Sequence, residues 1–197
     1  MSPPQILSVE MRVYTNEFRV YGLLHVRPNV GTAWLLNGDD RPHVSLTRVS
    51  MFRAGVAHPP AEGDLMYESH FAAIPKSSIV WAAGGAMDQA GSGLGLQPRE
   101  VFLVYPTYVL AGTFAMRPEV RLSDFVGTSM GHRSFVTLSH ARVLDRGPSG
   151  SSLAEAPVLH EYPFVTVDIR KVAAVIDVRN GDPARAYQPG EPPARRP

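Results

Sequence analysis

Seven histidines, at positions 25, 43, 58, 70, 132, 140 and 160, are the side chains best suited to hold a metal or move a proton near neutral pH. Their spacing offers no H-x-x-x-H pair and no H-E-x-x-H, so nothing places two imidazoles on one helical face, and surface histidine is the plainer reading. Gly91, Gly93 and Gly95 imitate a phosphate loop, but no Gly-Lys-Ser/Thr follows and no helical pattern begins there, which leaves a flexible linker. A serine nucleophile would need a G-x-S-x-G elbow on a turn from strand to helix; Gly127-Thr128-Ser129-Met130-Gly131 has that spacing, but no such elbow is expected there. Asp39-Asp40 follows Asn37-Gly38, where turn chemistry alone accounts for it, and Ser123-Asp124 reads as the cap of a short helical segment. With no cysteine, thiol nucleophiles, disulfides and thiolate metal sites are excluded. The expectation is therefore a non-enzyme with no catalytic residue, no metal and no cofactor.

The charge balance agrees. Nineteen basic against 18 acidic side chains give a formal charge of +1, so no global field marks a polyanion binder. All but Lys76 and Lys171 of the basic residues are arginine. The 44 % apolar content supports a core, and 18 Pro with 17 Gly imply many loops in either one large domain or two small ones. Met1 to Gln5 carries no positive n-region and no apolar stretch follows, so the expected location is cytoplasmic. Val101 to Met116 holds no charge, yet it is shorter than the roughly 20 residues a spanning helix needs. Its Pro106 and its β-branched and aromatic residues predict two strands around a turn.

The elements that must position any site come in two copies. Gly22 falls on Gly112, Arg27-Pro28 on Arg117-Pro118, Val30 on Val120, and Val44-Ser45-Leu46-Thr47 on Val136-Thr137-Leu138-Ser139. Glu68 then meets Glu161, Phe71 meets Phe164, and Ile79-Val80-Trp81 lies opposite Val172-Ala173-Ala174. Each copy reads as five strands with one helical turn: an alternating hairpin, such as Val9 to Tyr14 with Phe18 to Val26, a turn after Arg-Pro, then three further strands. So few strands must curl to enclose a core, which predicts a mainly β protein of two tandem small barrels of the SH3 or Sm type. The expected division is a first repeat at 1–83, a Gly-rich linker at 84–99, a second repeat at 100–179 and a Pro-rich tail, disordered or extended, at 180–197.

Within the second copy, Arg121-Leu122-Ser123-Asp124-Phe125-Val126, then Phe135-Val136-Thr137-Leu138-Ser139, then Tyr162-Pro163-Phe164-Val165-Thr166-Val167 form a distinctive series. It resembles a family of uncharacterised bacterial domains with an R-L-[ST]-D-F-L segment, an F-[IV]-x-[LV]-[TS] strand and a T-P-F-[LV]-x-V strand. The first copy departs from that pattern, with Thr32-Ala33-Trp34-Leu35-Leu36 in place of the acidic segment. The resemblance implies a small β-fold and carries no activity.

Comparing the copies singles out one surface. Arg12, Arg19 and Arg27 beside Tyr14 and Tyr21 are the cation-and-ring mix of an RNA-binding hairpin, but their counterparts are Phe102, Val109, Arg117, Val104 and Ala111. The second hairpin is thus apolar on both faces. Phe102, Val104, Val109, Ala111, Thr113 and Ala115 form an outward set that must be covered by the first copy or by another protein. The expected function is a docking or structural subunit whose partners are other protein subunits. A peripheral accessory place on a bacterial membrane complex, such as a photosynthetic reaction centre, is one setting for it, and an Sm-like RNA binder is the alternative.

Overall fold

A computed structural model of the chain describes residues 5–38, 40–55, 62–85, 95–146, 153 and 155–178. The expected tail at 180–197, most of the linker, His58 and Asp39 lie outside these residues. Alternating segments form strands where side-chain period demands it. The first half holds β1 (Leu7–Thr15), β2 (Phe18–Val26), α1 (Thr32–Gly38), β3 (His43–Arg53), β4 (Leu65–Pro75) and β5 (Ile79–Gly84). The second holds β6 (Gln97–Val104), β7 (Tyr108–Met116), α2 (Leu122–His132), β8 (Phe135–Asp145), β9 (Val158–Asp168) and β10 (Ala174–Asp177). The uncharged stretch around Pro106 is two strands, and no helix among the described residues is long and apolar enough to cross a membrane.

All ten strands belong to one open sheet in the order β10-β6-β7-β8-β9-β5-β1-β2-β3-β4, with every pairing antiparallel. This corrects the expectation of two tandem small barrels: neither half closes on itself and the halves are not separate domains. The reason lies in β5. One of its edges pairs with β1, and the other is given to β9, where Trp81 faces Val167, Ala82 faces Thr166 and Ala83 faces Val165. Its sequence, IVWAAG, is apolar without alternation and buried along nearly its whole length, the mark of a strand with neighbours on both sides.

Each half bends at an equivalent point. Tyr21 pairs with Ser50 and Leu23 with Thr47, so Gly22 faces an extra residue; Gly112 does the same between the Ala111–Arg142 and Thr113–Ser139 pairs. The extra residues, Arg48 and His140, adopt φ of 51° and 50°, the left-handed conformation of a bulge. Glycine is required opposite them: a Cβ on Gly112 would lie 2.7 Å from Leu138 Cγ and 2.8 Å from the Ser139 carbonyl oxygen.

The cores also cross the boundary. The cluster built on Leu103, Leu110, Phe114, Leu138 and Val165 takes in Tyr14, Val80, Trp81 and Ala83 from the first half. The cluster around Val13, Val20, Leu46 and Ile79 takes in Phe135 from the second. The helical segment after Arg117-Pro118 is longer than the sequence predicts, and its N-cap is Arg121, with Ser123 and Asp124 already inside the first turn. Asp124 there faces the positive end of the helix dipole.

Candidate protein interaction surface

The residues singled out on the second hairpin do not share one environment. Phe102, Val109 and Ala111 are buried, and with Leu144 they pack against Leu153, Ala156 and Val178. The cover over this part of the hairpin therefore comes from the second half's own β8–β9 connection and from the residue after β10. Val104 and Thr113 are half-buried and Ala115 is exposed. Phe102, Ala111 and Thr113 also line a groove of about 560 Å³ across β6 to β9, rimmed by Glu100, Arg142 and Glu161. Ala115 instead borders a second groove, of about 740 Å³, between α1 and α2, beside Trp34, which is 58 % exposed.

The arginine-tyrosine hairpin of the first half is rearranged by packing. Arg19, expected on the solvent face, is only 2 % exposed; its guanidinium donates to the Arg53 carbonyl at 3.1 Å and to Asp64 Oδ2 at 3.1 Å. Arg12 lies 5.2 Å above the ring of Tyr21 and 6.0 Å from that of Tyr162, a cation–π arrangement held within the protein.

Around these rings lies a feature the sequence reading missed, a cluster of aromatic side chains at the joint of the two halves. Tyr14 stacks on Trp81 with centroids 3.5 Å apart, and its hydroxyl lies 2.7 Å from that of Tyr162. Trp81 Nε1 donates to the Tyr108 hydroxyl at 2.7 Å, and Tyr108 stacks on Tyr105. Burial pushes the hydroxyl pKa of Tyr14, Tyr105, Tyr108 and Tyr162 upward, because the phenolate would lose its hydration. Burial, helped by the charge of Arg12, lowers the pKa of the His160 imidazole beside Tyr162. Two further contacts seal the joint. The Asn37 side-chain amide donates to the Phe135 carbonyl at 2.6 Å while its oxygen accepts the Phe135 N–H at 3.0 Å, and the Lys171 ammonium donates to the Ile79 carbonyl at 2.8 Å. Tyr14 with Tyr162 and Trp81 with Tyr108 spend their polar groups on one another, and the buried Tyr105 hydroxyl has no hydrogen-bond partner among the described residues, so the cluster acts as a clamp. The available signal was the gathering of Tyr14, Trp81 and Tyr162 near strands already assigned, but their meeting depends on the β5–β9 pairing.

Surface remains open at the sheet margins. The margin strand β4 exposes Leu65, Met66, Tyr67 and Phe71, the last two at 63 % and 56 %. At the other margin, β10 exposes Ile176 at 39 %. Among the described residues no group of three or more His, Asp or Glu is placed to hold a metal ion. Compared with protein-family models, curated proteins and solved structures, the chain matches none.

Proposed function

We propose that this chain is a structural subunit with no catalytic role of its own, docking other polypeptides of a larger assembly along the margins of its sheet. The observation that carries the reading is β4, an eleven-residue strand unpaired on its outer side among the described residues and bearing Leu65, Met66, Tyr67 and Phe71 in the open. A long edge of this kind is a template for another chain unless charge, proline or a cover blunts it. Here Glu68, Ser69 and His70 are the polar interruptions within it, and Pro75 stands only at its end. A peripheral place on a bacterial membrane complex belongs to the same proposal, and fractionation of membranes distinguishes it from a free assembly.

Native purification from the source organism tests the reading. It predicts recovery at fixed stoichiometry with other polypeptides, and loss of them on Phe71→Lys, a substitution at an exposed site. Recovery as a free monomer alone would overturn it. The RNA alternative keeps Arg12 and Arg27 but has lost Arg19 to the interior.

A further inference from the structure

The two halves present the same strands in the same order, β5-β1-β2-β3-β4 and β10-β6-β7-β8-β9, and one joint connects them. The registers show which residues correspond. Tyr14, Val13 and Arg12 face Trp81, Ala82 and Ala83 on β5, whereas Val104, Leu103 and Phe102 face Ala174, Val175 and Ile176 on β10. Val136, Thr137 and Leu138 face Val167, Thr166 and Val165 on β9, whereas Val44, Ser45 and Leu46 face Ile74, Ala73 and Ala72 on β4. So β10 stands in the second half where β5 stands in the first, and β4 where β9 does. The joint pairs a β5-type strand with a β9-type strand and, among the described residues, leaves one strand of each type unpaired at opposite ends of the sheet.

An interface between two unlike surfaces repeated in one direction does not close on itself after a single use. Resting on the docking reading above, we propose that the partner is a second copy of this chain: β10 of one copy adds antiparallel to β4 of the next. The register of the internal joint sets the new one, with Ala174 opposite Ile74, Val175 opposite Ala73 and Ile176 opposite Ala72. At the internal joint the corresponding residues Ala82, Ala83, Val165, Thr166 and Val167 are all buried. On the open margins Ala73, Ala174 and Ile176 are exposed and Ala72 and Val175 half-buried, so pairing would cover what is now bare.

The clamp residues are not repeated at the margins. Tyr14, Trp81 and Tyr162 correspond to Val104, Ala174 and Ser69, so the joint between copies is weaker than the one within a copy. Assembly therefore depends on concentration and proceeds head to tail, ending in a ring if the rotation closes and a filament if it does not.

The absence of cysteine makes the register testable in the intact chain. Opposed side chains in an antiparallel pair come close enough for a disulfide. Mixing Ala73→Cys with Val175→Cys and oxidising should give a cross-linked heterodimer, with neither variant alone forming a homodimer, and the double variant should form a ladder. Light scattering of the purified wild type should give masses rising with concentration through multiples of 21.5 kDa. Ala73→Lys should weaken that association by about tenfold or more while keeping the melting temperature. Homodimers of Ala73→Cys would mean a symmetric β4 contact and overturn the register. A purified protein monomeric at every concentration overturns self-assembly; if it still purifies natively with other polypeptides the docking reading stands, and if it does not, both fall.

Discussion

The hydroxyl oxygens of Tyr14 and Tyr162 lie 2.7 Å apart and tie the first strand of one half to a strand 148 residues further along. The bond is buried, and without it Tyr14 keeps the longer 3.5 Å contact with the Tyr21 hydroxyl and Tyr162 its bond from Arg12. Tyr14→Phe and Tyr162→Phe should each cost about 1 kcal/mol of stability in urea unfolding. The double variant should cost less than the sum of the two, and strict additivity would mean that the pair carries no coupling.

Gly112 sits closer to its neighbours than Gly22, whose added Cβ would come no nearer than 3.0 Å, to the Thr47 carbonyl oxygen. Gly112→Ala should therefore destabilise by about 1–3 kcal/mol and Gly22→Ala by less. Across the same bulge, His140→Gly relieves a left-handed backbone and should gain up to about 1 kcal/mol. Thermal melts of the three variants, ranked in that order, check the bend.

Val109 is 1 % exposed beneath its own half's cover, with Leu153 and Val178 in the same cluster. Val109→Asp buries an unpaired carboxylate and should lower stability by more than about 3 kcal/mol, or prevent folding. Circular dichroism gives the answer: a melt unchanged from wild type, with association lost instead, would show that another protein covers this face.

Alkali should unfold the protein through its joint. The tyrosine pKa is raised by burial at Tyr14, Tyr105, Tyr108 and Tyr162, while in the unfolded chain these groups titrate near 10. Above that pH the unfolded state has released protons that the folded state still holds, so stability is whole below pH 10 and falls as pH rises. Phenolate absorbance should then lag behind that expected for free tyrosine and appear together with loss of the sheet signal. Full ionisation of all seven tyrosines with the fold intact would contradict the burial.

Arg19→Ala should act on stability and leave nucleic-acid binding unmoved. Its guanidinium bonds Asp64 and the Arg53 carbonyl from a buried site, and losing those bonds should cost about 1–3 kcal/mol. A fluorescent single-stranded RNA titrated at two salt concentrations against wild type and variant tests the point, and a salt-sensitive affinity that falls with Arg19 would restore the RNA alternative.

The strands themselves were legible. Alternation at Val9 to Tyr14 and Phe18 to Val26, and the shared Gly22 and Gly112, are local patterns that a two-residue period writes directly into the chain. So was the need to cover Phe102, Val109 and Ala111, since an apolar residue on the second face of a hairpin must go somewhere. Arg19 misled because alternation assigns a face and cannot tell whether a loop, here the one carrying Asp64, folds over it.

What the chain determined alone is its set of strands, their order of hydrophobic faces and the correspondence of its two halves. The tertiary structure decided that the halves share one sheet, that β5 gives its second edge to β9, and that Tyr14, Trp81 and Tyr162 meet there. The reason is that strand edges pair through backbone N–H and C=O groups, which every residue but proline carries alike. Side chains specify which face is buried, and only the packing of the whole chain settles which edge meets which.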